Sequence, residues 1–137
     1  MTARATGGWN FRIINRAKDG REMVELLEPL VWGVESPDGP TYITVPTGFV
    51  SDFASIPWVA RRLLPSFGPW ARAAILHDYL YLTKGEDGRW TRKQADGMFM
   101  EFMQATAESR EDGQPNRLTR STIHRAVRAF GAGGWGS

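Results

Sequence analysis

The chain predicts an α+β fold, with a small N-terminal antiparallel β-sheet followed by a C-terminal helical half that contains an antiparallel helix hairpin. Three observations carry this expectation. Four short apolar or alternating runs crowd between residues 9 and 50, Asp-Gly turn signals separate them in pairs, and from residue 55 the apolar spacing changes to the helical period. At 137 residues, with 42% hydrophobic content and no cysteine, the chain is about one domain over 1–137 and needs no disulfide to bury a core. The expected division is a β half over about 9–50, a helical half over about 55–130 and a flexible glycine-rich tail over 131–137.

The strand candidates are Phe11-Arg12-Ile13-Ile14, Glu22-Met23-Val24-Glu25-Leu26-Leu27, Leu30-Val31-Trp32-Gly33-Val34 and Tyr42-Ile43-Thr44-Val45. Lys18-Asp19-Gly20 joins the first two and Ser36-Pro37-Asp38-Gly39-Pro40 the last two. Each supplies a glycine able to take the positive φ of a tight hairpin. Asp52 and Ser55 are cap candidates for a short helix that Pro57 opens and Pro65 ends. A second helix is expected over 69–82, then a loop over 84–89 with two glycines. Thr91-Arg92-Lys93-Gln94 has the capping-box pattern that opens a third helix to about residue 107. The last helix, over 119–130, places Ile123, Ala126, Val127 and Phe130 at core spacing and is stopped by Gly131.

Charge excludes some classes of function. A net charge of +2 gives no strong nucleic-acid signal, although the pI is about 9.3. After Asp112, however, Arg117, Arg120, Arg125 and Arg128 stand without an acidic residue. That pattern suits a face turned to solvent or neighbouring carboxylates, or a contact with phosphate, lipid or a partner protein. No transmembrane segment and no signal peptide are expected, because no apolar run reaches the length of a span and the N-terminus lacks an apolar core. There is no Gly-x-Gly-x-x-Gly, Walker loop, His-Glu-x-x-His or EF-hand loop.

The informative polar stretch is His77-Asp78-Tyr79-Leu80-Tyr81, followed by Asp96. His77 and Tyr81 share one helical face, and Asp78 lies about 100° away on the edge of the same cleft. His77 and Asp96 stand at matching heights, roughly 7.5 Å from the hairpin loop along each axis. A His77–Asp96 hydrogen bond would fix the imidazole tautomer and leave its other nitrogen to take a proton from water. His77, Asp96 and Tyr81 are therefore the candidate catalytic set. Asp78 and Asp52 are the candidate metal ligands, for a hard cation such as Ca2+ or Mg2+. The alternative is a helix hairpin whose polar groups satisfy one another, with Tyr79, Leu80, Phe99, Phe102 and Met103 as core. The remaining histidine, His124, sits among arginines and reads as a surface residue.

The sequence from Val45-Pro46-Thr47-Gly48-Phe49-Val50-Ser51-Asp52-Phe53-Ala54-Ser55-Ile56-Pro57 through Ala73-Ala74-Ile75-Leu76-His77-Asp78-Tyr79-Leu80-Tyr81 to Ala95-Asp96-Gly97-Met98-Phe99 resembles the family known as domain of unknown function 1353. That resemblance implies a phage or prophage setting, with the host cytoplasm or the virion as location and other phage or host proteins as partners. More locally, His77-Asp78-x-x-Tyr81 with Asp96 resembles the helix hairpin of phospholipase A2. This second resemblance implies His77 as the base that activates water, Asp78 as a calcium ligand, and Asp96 and Tyr81 as the groups that orient His77. Its substrate would be an ester or phosphodiester of lipid, cell-envelope or nucleotide type. The chain departs from that pattern in having no disulfides and in carrying Pro65-Ser66-Phe67-Gly68-Pro69 where a glycine-rich calcium loop would stand.

Two functions follow from these readings. One is a noncatalytic virion, assembly or host-interaction protein, with Trp9, Trp32, Trp58 or Trp135 supplying contact surface. The other is a metal-dependent hydrolase built on His77.

Overall fold

The structure is a computed structural model, and it describes residues 5–14, 23–34, 41–51, 70–108, 117–130 and 135. The chain divides into two compact units, Met1–Asp52 and Phe53–Ser137. The division falls where the sequence changes from strand to helical patterning.

The first unit holds six strands, β1 (Ala5–Gly7), β2 (Phe11–Ile14), β3 (Met23–Leu26), β4 (Leu30–Val34), β5 (Thr41–Val45) and β6 (Val50–Ser51). They form two three-stranded antiparallel sheets, ordered β1-β4-β5 and β2-β3-β6, rather than the one sheet expected. The pairs β2–β3 and β4–β5 are those the Asp-Gly signals predict, while the turns themselves lie outside the described residues. Alternation sets the core. Val24 and Leu26 of β3, Leu30 and Trp32 of β4, and Ile43 and Val45 of β5 are all buried, and the register places Leu30 opposite Val45 and Trp32 opposite Ile43. Trp32 is thus core, which corrects its reading as contact surface, because its strand parity turns it inward with Leu30.

The chain crosses between the sheets at 27–29. There the Glu28 carboxylate accepts from the backbone N–H groups of Trp9 and Asn10 at 2.8 and 3.1 Å, tying the start of β2 to the crossing. Trp9, Ile13, Leu27 and Tyr42 are exposed apolar residues of this unit.

The second unit contains α1 (Trp70–Leu82), α2 (Arg92–Glu108) and α3 (Arg117–Phe130), with α2 packed against both of the others. The expected helix over about 55–64 lies outside the described residues. Helix α1 is buried almost all round, as its run of Ala, Ile and Leu dictates. The capping box forms at the start of α2: Thr91 N–H donates to Gln94 Oε1 at 2.8 Å, and Gln94 N–H donates to Thr91 Oγ1 at 3.1 Å. Leu80, Phe99, Phe102 and Met103 are core as expected, together with Ile123, Ala126 and Val127 of α3.

Phe130 is a correction, because it is exposed. The last turn of α3 is closed by Arg92, whose guanidinium donates to the carbonyls of Val127 and Arg128 at 3.1 and 3.2 Å, rather than by apolar packing.

Between α1 and α2 the chain makes a turn of left-handed helix over Lys84–Gly88. Lys84, Gly85, Glu86, Asp87 and Gly88 all have positive φ, from 51° to 93°. For the three residues with side chains this costs roughly 1–2 kcal/mol each. Local bonds offset it. Thr83 Oγ1 donates to the Tyr79 carbonyl at 2.8 Å and accepts from Glu86 N–H at 3.1 Å, and Asp87 N–H donates to the Thr83 carbonyl at 2.9 Å. The Glu86 carboxylate accepts from Trp90 Nε1 at 3.2 Å and from Arg89 at 3.3 Å.

At Gly85 the constraint is absolute. A Cβ there would lie 1.8 Å from the Trp90 carbonyl oxygen, whose own chain is pinned by the Trp90 N–H bond to the Gly85 carbonyl. Gly85→Ala should therefore lower stability by at least about 2 kcal/mol in urea unfolding, well beyond an ordinary surface change.

Candidate functional site

The site is built on the facing sides of α1 and α2. Helical phase puts His77 and Tyr81 one turn apart on α1, and the hairpin through the left-handed turn brings Asp96 of α2 opposite them. His77 Nε2 lies 2.7 Å from Asp96 Oδ1, and the Tyr81 hydroxyl donates to the same oxygen at 2.6 Å. His77 and Asp96 have no exposed surface, and Tyr81 is 3% exposed. The His77 ring packs between those of Tyr81 and Phe99, with centroids 4.3 and 4.8 Å away.

The second carboxylate oxygen of Asp96 is held by arginines. Arg128 of α3 donates to Oδ2 at 2.7 Å, and Arg92, one turn before Asp96, stands 3.5 Å away. Arg92 thus connects the carboxylate to the C-terminal carbonyls of α3, so one buried acid ties all three helices together. Arg92 and Arg128 are the members that sequence reasoning missed. Arg92 stood at i−4 from Asp96 and could have been found, but nothing in the local sequence links residue 128 to residue 96.

Electrostatics fix the proton positions. Burial alone raises the pKa of Asp96, but the hydrogen bonds from His77 and Tyr81, the charge interaction with His77 and the Arg128 bond outweigh it, so the carboxyl is held below its ordinary value. Asp96 is then a carboxylate, and His77 Nε2 must carry the hydrogen between them. The Tyr81 hydroxyl is driven well above its ordinary value, first by burial and then by its bond to the Asp96 carboxylate. In this arrangement Asp96 orients the imidazole.

Asp78 is on α1, directly after His77, and is 2% exposed. Asp52, its expected partner in holding a cation, lies outside the described residues, as does Trp58. Among the described residues no group of three His, Asp or Glu side chains could hold a metal ion. His124, read from sequence as a surface residue, is instead half-buried. Burial lowers its pKa, the charge of Asp96 works against that shift, and Arg128 and His77 add to it.

Trp135 is the one described residue beyond 130. Its indole meets Tyr81 edge-on at 5.1 Å, which gives it a packing role in place of the free contact surface expected of the tail.

Two outcomes follow for Asp96. Asp96→Asn should cost about 3 kcal/mol, because it leaves Arg128 and the buried imidazole without their anion, with the partial exposure of Arg128 softening the loss. In the wild type, a folded pKa below the unfolded one means the folded state binds fewer protons. The stability it contributes is present above about pH 4 and is lost as pH falls through the folded value. The melting temperature should fall with acid over that window, and the acid slope should flatten in Asp96→Asn.

No match is found among curated proteins or among solved structures. A model of the family described as protein of unknown function DUF1353 matches residues 24–127, a span that includes His77, Tyr81, Arg92 and Asp96 and ends one residue before Arg128. The chain belongs to that family.

Proposed function

We propose that this chain is a noncatalytic assembly or host-interaction protein of a phage or prophage, in which His77, Tyr81 and Asp96 serve the frame of the helical unit. The observation that carries this reading is the complete enclosure of the pair. His77 and Asp96 are 0% exposed, and both oxygens of the carboxylate are already engaged by protein donors. A base that activates water needs that water beside it, whereas a buried structural carboxylate needs its donors filled. Contact with partners falls to exposed apolar side chains such as Trp9 and Tyr42, each 54% exposed.

One observation favours a second reading, a hydrolase of an ester or phosphodiester. A histidine with Nε2 2.7 Å from a carboxylate that also accepts a tyrosine hydroxyl is oriented as a general base. Nδ1 would then take the proton from water, with Asp78, and Asp52 if it reaches the same place, holding Ca2+ or Mg2+.

His77→Asn separates the two. On the frame reading it costs on the order of 1–3 kcal/mol, removes no hydrolytic activity, and millimolar calcium leaves the wild-type melting temperature unchanged. On the hydrolase reading the variant stays folded, and turnover of a chromogenic ester by the wild type falls by roughly 10²-fold or more. A folded variant with that loss would overturn the first reading.

A further inference from the structure

We propose that the outer face of α3 is a docking surface for the phosphate backbone of a nucleic acid, whatever role His77 plays. At 100° per residue, Arg117, Ser121, Arg125 and Arg128 fall within about 80° of one another, a stripe running most of the helix length. The buried residues Ile123 and Val127 lie on the opposite side. Arg117 and Arg125 are exposed, and neither meets a carboxylate among the described residues. The helix contains no acidic residue to neutralise them.

Arg128 is tied to Asp96 yet keeps about a third of its side chain in solvent, at 34%. Arg92 of α2 adds a further cation at the end of α3, where its guanidinium reaches the Val127 and Arg128 carbonyls. Arg92 itself neutralises the negative end of the helix dipole, which would otherwise weaken the field at Arg125 and Arg128.

The side chains between the arginines favour a nucleic acid over the other polyanions. Ser121, which lies between Arg117 and Arg125 on the stripe, is small, and the guanidinium forks suit phosphate oxygens in pairs. A membrane surface would call for an apolar row on the same face, and only Leu118 stands near it. Phe130, though exposed, lies about 140° or more from every arginine of the stripe. The small overall charge of +2 hides this asymmetry, because the last 25 residues carry four arginines and no acid.

Contacts of this kind read no sequence and are salt-dependent, with dissociation constants of roughly 10⁻⁴–10⁻⁶ M. The test is fluorescence anisotropy of a labelled DNA duplex at several salt concentrations, with wild type, Arg117→Gln/Arg125→Gln, and Arg12→Gln as a control in the other unit. The double variant should bind about 10-fold more weakly at low salt, and its log–log salt slope should be shallower by about 2. Arg12→Gln should bind as wild type does, and all three should keep their melting temperatures within about 2 °C, since single exposed charges contribute little to stability. No binding at low salt, equal binding by the double variant, or binding to phosphatidylserine vesicles without binding to the duplex would each overturn the proposal.

Discussion

Burying a carboxylate costs several kcal/mol unless donors and opposite charge replace the water it gives up, and Asp96 is buried at the meeting point of three helices. Its compensation comes from each of them: His77 and Tyr81 from α1, Arg92 from α2, and Arg128 from α3. The bonds from His77, Tyr81 and Arg128 to Asp96 form only when the three helices are in register. The network therefore works less as a source of net stability than as a constraint on arrangement, since a slip of one helical turn would strand an ion in an apolar interior. The left-handed turn at Lys84–Gly88 has the same character. It accepts unfavourable backbone angles at Lys84, Glu86 and Asp87 to deliver α2 at the height where Asp96 meets His77.

Around that anion the apolar packing is ordinary, and it explains the enclosure of the imidazole. Phe99 is one helical turn on from Asp96 and covers one side of the ring, while Tyr81 covers another and is itself braced by Trp135. An oriented histidine and an enclosed histidine are thus produced by the same residues. The geometry of a general base and that of a core hydrogen bond differ here in the access of water, not in the hydrogen bonds. The basic face of α3 belongs to the same design, because the helix that spends Arg128 on Asp96 leaves Arg117 and Arg125 exposed with no carboxylate partner among the described residues.

The sequence by itself determined what depends on neighbours a few residues apart. Alternation placed β2, β3, β4 and β5 to within a residue or two, the Asp-Gly signals paired them correctly, and the Thr91–Gln94 box opened α2 where its reciprocal bonds now stand. The meeting of His77, Tyr81 and Asp96 was legible as well, because helical phase and the distance of each from the hairpin loop fix it. Tertiary structure decided everything that joins distant segments. β1 and β6 are too short to carry a period of their own and exist only through pairing with β4 and β3, which is also why two sheets form where one was expected. Arg128 finds Asp96 across 32 residues, Arg92 takes the place at the end of α3 that spacing had assigned to Phe130, and Trp32 turns inward with its strand. Local periodicity tells which face of an element is apolar. Only the packing of whole elements tells which polar group lies opposite, and how much water is left beside it.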